Sequence, residues 1–204
     1  MTWNRQPLAS LVSHTDGDGI DLADAKLFLR VDHATENDEI EAMIGSARVW
    51  VETYLRRSLV TETWDFKFRD FPQFMKPLYV PRAPLQSVTS ITYLDENAAS
   101  QTWASGNYVV RTLSGPNAGR GWIETTADTD FPATSIEAAY PITVRAVCGY
   151  GNAAAVPKGI KSAMYLLLGD LYAQRQETIT GTTSARTQTT IEKLLGPYRL
   201  PEAV

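Results

Sequence analysis

Residues 140–176 read YPITVRAVCGYGNAAAVPKGIKSAMYLLLGDLYAQRQ, and this stretch decides the fold. Ile142, Thr143, Val144, Ala146, Val147 and Cys148 form a run with few polar breaks between Pro141 and Gly149. Such a run predicts a strand covered on both faces, with a short buried helix as the alternative that run length alone leaves open. The glycine-flanked Tyr150 then makes a turn, and Pro157 stands where a helix tolerates proline best, in its first turn. From Ile160 the apolar residues Met164, Leu167, Leu168 and Leu171 recur at three- and four-residue spacing, which predicts a long amphipathic helix over 157–176. Ala163, Leu166 and Tyr172 widen its stripe, so this helix needs covering on two sides, within the chain or between copies.

Upstream, Asp21 is placed to cap a helix over 22–30 whose buried face is Leu22, Ala25, Phe28 and Leu29. Thr35 and Asp38 form an acidic variant of the capping box before a second helix, 36–57. Its apolar positions are Ile40, Met43, Ile44, Ala47, Trp50, Val51, Tyr54 and Leu55, with acids at the start and Arg48, Arg56 and Arg57 towards the end, as the helix dipole favours. Residues 1–20 are mixed and turn-rich. Asp16-Gly17-Asp18-Gly19 looks like a fragment of a calcium loop, but the downstream glutamate that such a loop requires is missing.

The pattern changes at Val60. Thr61 to Arg69 alternates, with Trp64, Phe66 and Phe68 on one face and Thr63, Asp65, Lys67 and Arg69 on the other. Pro72, Pro77, Pro81 and Pro84 restrict Leu78–Val80 to a short or edge strand. Val88–Leu94 and short runs at Trp103, 108–111 and 122–124 complete an antiparallel sheet or sandwich. Gly115 to Gly121 lacks the Gly-Lys-Ser/Thr ending of a phosphate loop and reads as a hairpin loop. After the long helix, 177–190 is Thr-rich and nearly devoid of apolar residues, which predicts a mobile tether. It ends in a short helical piece, Ile191–Leu195.

Composition bounds the function. The net charge is −4, with 44% hydrophobic and 21% charged residues, and no dense Lys/Arg cluster is present. That profile is globular and does not favour a protein whose task is to grip phosphates. The single cysteine, Cys148, excludes an internal disulfide and reads as a small core residue. The N-terminus has no basic start followed by an apolar run, and no stretch is long enough to cross a bilayer, so the product is expected in a cytoplasm. His14 and His33 sit in predicted loops with no metal-ligand spacing, and no nucleophile–base motif is visible. No catalytic, cofactor-binding or metal residues are assigned.

Four stretches carry a family resemblance: LADAKLFLRVDHATENDEIEAMIGSARVWVETYLRRSLVTETWDF (22–66), VPRAPLQSVTSITYLDENA (80–98), ITVRAVCGYGNAAAVPKGIKSAMYLLLGDLYAQRQ (142–176) and IEKLLGPYRLP (191–201). In this order they resemble the head–tail connector (adaptor) proteins of long-tailed bacteriophages and gene transfer agents. The turn Cys148-Gly149-Tyr150-Gly151 departs slightly from the family's Ala-Gly-Tyr-Gly, and residues 99–140 carry little of the match. The resemblance implies an α+β chain: a helical connector core of three main helices (1–59 and 151–176), an inserted antiparallel β-rich module (60–150) and a flexible C-terminal segment (177–204). It implies a non-enzymatic subunit of a homo-oligomeric ring, about twelve copies, closed by a head-to-tail interface. The partners implied are the portal protein and a tail-completion or stopper protein, at the head–tail junction of a virion or phage-like particle. DNA would pass through the channel without sequence-specific binding, and no membrane is involved. Portal contacts fall to Ile191, Leu194, Leu195, Tyr198 and Arg199, and subunit contacts to Arg48, Arg56, Arg57, Lys161 and Asp170. The alternatives are a tail-terminator or tail-completion ring, a ligand-binding β module resting on Trp103, Tyr108 and Trp122, and a small enzyme using Cys148 or a histidine.

Overall fold

The structure is a computed structural model that describes residues 7–15, 17–73, 76–127, 129–173 and 183–201. The chain divides into two compact units. Of the described residues, one unit takes those within 7–14 and 61–149, and the other those within 15–60 and 150–201. The sequence stretches 174–182 and 202–204, with Asp16 of the calcium-like fragment, lie outside the described residues.

The first unit is built on antiparallel strands. Strands β1 (Leu8–His14), β2 (Glu62–Phe68), β4 (Leu85–Leu94), β5 (Ser100–Thr102) and β8 (Ile142–Cys148) form one sheet in the order β1-β2-β8-β4-β5. Strands β3 (Leu78–Tyr79), β6 (Tyr108–Arg111) and β7 (Trp122–Thr125) form a second, in the order β3-β7-β6. The strand predicted at the heart of the sequence is therefore the middle strand of the larger sheet. It is not covered on both faces, however. Ile142, Val144, Ala146 and Cys148 are buried while Arg145 is exposed, so β8 alternates like its neighbours. An antiparallel sheet can leave one face to water, and a run of small and β-branched residues hides that alternation in the sequence. Phe66 on β2 is fully buried opposite Val144, and Ile91 on β4 is buried on that strand's other side. Burying a phenylalanine of this kind stabilises by about 1.5–3 kcal/mol. Leu78 and Ile123 bring the smaller sheet into the same core.

β1 was not foreseen in the turn-rich reading of residues 1–20. All seven of its residues are exposed, so it has no buried face to print a period-two pattern on the sequence. Its backbone pairing with β2 defines it instead. The loop 112–121 links β6 and β7 as a hairpin, as expected. A Cβ at Gly121 would lie 2.6 Å from Leu85 Cβ and 2.8 Å from the Arg111 carbonyl, so only glycine fits that approach.

On the open face of the larger sheet, Asp65 and Arg145 are direct cross-strand partners. Arg145 donates from Nε (2.8 Å) and a terminal nitrogen (2.7 Å) to the two carboxylate oxygens. This fork holds the Asp65 carboxyl below its ordinary value, the Arg145 hydrogen bond being the main cause. A depressed folded-state value contributes stability above the unfolded-state value, and that contribution is lost as pH falls through the folded one. Asp65→Asn is therefore expected to unfold more readily than the parent at neutral pH. The gap should narrow as pH falls below about 3.9 and close at still lower pH. Urea midpoints of both proteins across that range check this, and a gap independent of pH would refute it.

The second unit is helical. It comprises α1 (Leu22–Leu29), α2 (Asn37–Leu55), α3 (Lys158–Ala173) and α4 (Thr183–Leu195), the last followed by a 3-10 turn, Gly196–Tyr198. Gly149 and Gly151 turn the chain towards α3 with φ of 119° and 124°, values that L side chains rarely adopt. Ile160, Ala163, Met164 and Leu168 of α3 meet Ile40, Ile44, Val51 and Leu55 of α2, Ala25 of α1, and Ile191 and Leu195 of α4 in one core. The two-sided covering that α3 demands is thus met within the chain. Leu171, expected on the buried stripe, is 37% exposed.

Helix ends differ from the sequence reading in chemistry as well as position. α1 and α2 stop at Arg30 and Arg56, both left-handed with φ of 60° and 57°. The Arg57 N–H closes α2 onto the Glu52 carbonyl. Asp21 occupies the N-cap of α1, but its side chain makes no capping hydrogen bond. The Thr35–Asp38 capping box does not form, since Glu36 occupies the N-cap of α2 and its side chain makes no capping bond either. The Glu36 carboxylate instead accepts from the Tyr172 hydroxyl at 2.6 Å, tying the start of α2 to α3. α4 begins at Thr183, well before the short piece predicted at 191–195.

Candidate assembly surfaces

The C-terminal end of α2 is fastened by buried polar groups. Glu52, only 5% exposed, accepts the Leu59 N–H at 2.7 Å and faces Arg48 at 3.5 Å. Arg48 also meets Asp18 at 2.9 Å, so one arginine ties the loop before α1 to the middle of α2. Arg57 is 2% exposed and donates from Nε to the Tyr198 carbonyl. It is also hydrogen-bonded to the Tyr150 side chain. Burial draws its guanidinium below the ordinary value, with Tyr150 opposing; burial likewise pushes the Tyr150 hydroxyl up.

The segment after α4 is strapped to the same place. The Leu200 N–H donates to the Leu55 carbonyl at 3.1 Å. Arg199 lies over the Tyr54 ring at 4.9 Å, and Tyr54 in turn stacks on Trp50 at 5.4 Å. The Tyr198 ring fills the space beside Gly159, where a Cβ would meet its hydroxyl at 2.7 Å.

These contacts change the meaning of several residues that the sequence assigned to partners. Arg48 and Arg57 face inward and serve the unit's own structure, because each has buried polar groups of the same unit to satisfy. Arg56 is the left-handed residue that ends α2, and it is half-buried, as are Lys161 and Asp170 on α3. In the C-terminal set, Ile191 and Leu195 are buried in the core, Leu194 and Tyr198 are half-buried, and Arg199 is exposed. α3 has more apolar surface than α1 and α2 cover, and α4 takes part of the remainder, leaving Leu171 exposed.

The outward face of α2 carries a feature the sequence reading missed. Ala42, Gly45, Ser46, Val49, Trp50, Thr53 and Tyr54 line an open apolar groove of about 800 Å³. Trp50 was expected on the buried face but is 37% exposed, and Val49 is 56% exposed. Its signal is a second stripe, Ala42-Gly45-Ser46-Val49, that the stronger Ile40-Ile44-Ala47-Val51-Leu55 stripe overshadows. On α1, Phe28 was also expected inside. It lies instead against Tyr165 and Gly169 of α3 while remaining 47% exposed.

In the β unit, Trp103 is 5% exposed and packs with Tyr108 (5.1 Å), Phe71 (5.8 Å) and Phe131 (5.3 Å). Trp122 pairs with Tyr79 instead, so the three aromatics of the ligand-binding alternative do not form an exposed row. Cys148 is buried, its thiol pushed up to about 12, chiefly by burial. It is a core residue, not a poised nucleophile. His14, expected in a loop, ends β1, and His33 lies on an exposed bend. Among the described residues no helix is long and apolar enough to cross a membrane.

Comparison with known proteins supplies the context for this geometry. Residues 19–114 match the family model described as phage gp6-like head-tail connector protein. No curated protein sequence matches the chain. Three solved structures share its fold over 97% of each chain. They come from the virion of a native gene transfer agent particle (TM-score 0.75, 17% identity), the neck of an empty particle computed with C6 symmetry (0.77, 15%) and the neck of a native particle computed with C12 symmetry (0.71, 15%).

Proposed function

We infer that this chain is a phage-type head–tail connector, a structural subunit of the ring at the junction between the head and tail of a phage or gene transfer agent particle. The observation that carries the reading is the gp6-like connector match across residues 19–114. That segment runs from the first helix to the loop after β6, short of β7 and β8. The fold shared with gene transfer agent neck subunits over 97% of the chain agrees with it. The neck computed with C12 symmetry suits a ring of about twelve copies. The relatives are particle components, which supports a non-enzymatic role, and the ligand-binding alternative loses its support with Trp103 in the core.

The ring's neighbours follow from its position. The portal is proposed as the partner on the head side and a tail-completion or stopper protein on the tail side, with DNA passing through the channel. A net charge of −4 suits a duct that should not hold phosphates. Portal contact is assigned to Leu194, Tyr198 and Arg199, which keep surface outside the core, while Ile191 and Leu195 hold that segment in place. Arg56, Lys161 and Asp170 remain candidates for contact between subunits.

Tailless, DNA-filled capsids bearing their portal provide the test. The full chain is expected to co-sediment with them in near-stoichiometric ring amounts. Arg199→Glu, at an exposed position, should bind at least tenfold more weakly while staying folded. Folded parent protein that fails to co-sediment would overturn the connector reading. Unchanged binding by Arg199→Glu would move the portal contact elsewhere.

A further inference from the structure

Among the described residues of the helical unit, exposed large apolar side chains fall on α1 at Leu27 and Phe28, on α2 at Val49 and Trp50, and at Leu171 of α3. The α1 pair and the α2 face differ in shape. The α2 face is open and shallow, with the small residues Ala42, Gly45 and Ser46 on the N-terminal side of the bulkier Val49 and Trp50. The α1 pair is a projection: Leu27 is 80% exposed, and Phe28 is fixed from behind by Tyr165, with ring centroids 5.2 Å apart. Their charged borders differ as well. Asp38 and Glu41, both exposed, stand at the N-terminal end of α2, Asp38 on the same stripe as Ala42, Gly45 and Val49. The projection has exposed Asp24 one turn before it and exposed Arg30 just after it, at the C-cap of α1.

A closed ring requires each subunit to present two different surfaces that fit one another, since a head-to-tail contact never joins like to like. An apolar face with acids at its N-terminal end and an apolar projection with Arg30 at its C-terminal end, both on one unit, can meet that requirement. We propose that the α2 groove of one copy receives the Leu27–Phe28 projection of the next copy, with Arg30 facing the neighbour's Asp38 and Glu41. The contact rests on the ring reading above and names the surfaces that close the ring. It also explains why Trp50 stays at the surface. Stacked on Tyr54 beneath Arg199, it is held as a rigid wall of the groove.

The test is disulfide trapping in the full-length chain assembled on portal-bearing capsids. Leu27→Cys/Val49→Cys and Leu27→Cys/Ser46→Cys replace exposed side chains, and the buried Cys148 stays out of the reaction. Cysteines brought within about 7 Å between Cα atoms form a bond on mild oxidation. At least one double variant is expected to give a covalent ladder of dimer, trimer and larger species. Each single variant should stay monomeric, and a mixture of Leu27→Cys with the matching groove variant should stop at the dimer. Rings that assemble from both double variants without any ladder would overturn this contact and leave the connector reading intact. Failure of the parent protein to assemble at all would overturn both.

Discussion

Leu195→Ala is expected to lower the stability of the helical unit by about 2–5 kcal/mol, the range for deleting a buried leucine and leaving its cavity. Leu195 is fully buried, with Ile191 one turn before it, in the core shared by α2, α3 and α4. Lys193→Ala on the exposed face of the same helix is the control, and it should stay within about 0.5 kcal/mol of the parent. Urea denaturation followed by circular dichroism reads both. The comparison separates two roles for one residue. If Leu195 were a free anchor awaiting a partner, its removal would leave stability unchanged and abolish capsid binding alone. Loss of stability instead makes α4 a structural element of the helical unit.

Glu52→Ala is expected to cost a similar amount, about 3–5 kcal/mol, because it breaks a buried charged network from one side. The carboxylate accepts the buried Leu59 N–H and faces Arg48; the alanine variant strands the Leu59 N–H and leaves Arg48 with Asp18 but without its buried partner. Glu52→Gln keeps an oxygen for Leu59 and removes only the charge, so its cost should be smaller, about 1–3 kcal/mol. The order parent, glutamine, alanine in denaturant midpoint is the expected result. Equal midpoints for the two variants would mean that the Leu59 hydrogen bond contributes nothing and that the charge alone matters.

Much of the fold was legible because its strongest signals are periodic. The α2 and α3 stripes repeat every three or four residues, and β2 alternates Trp64, Phe66 and Phe68 against Asp65 and Lys67. Their hydrophobic faces can be read without knowing what covers them. What failed was chiefly polar. Arg48 and Arg57 look like surface charges in a sequence, since arginine usually is one. Only the arrival of Asp18 at one and Tyr150 and Tyr198 at the other turns them into buried ties. Asp21 and Thr35 carry the letters of caps, but neither forms one in the folded chain.

The sequence by itself determined the α+β class, the position of the β-rich segment between helices, the helical stripes and the resemblance to head–tail connectors. All of these depend on local spacing, and side-chain spacing is a property of the chain. Tertiary structure alone decided that β1 joins the sheet, that α4 completes the helical core, and that Trp50 and Phe28 remain outside. β1 depends on backbone pairing with β2, and the other two on which of several apolar surfaces finds a partner within the same chain. α3 could accept α4 because its stripe is wider than α1 and α2 can cover, whereas the second stripe of α2 is left without a cover among the described residues. Spacing tells which residues can be buried together; competition among surfaces tells which ones are.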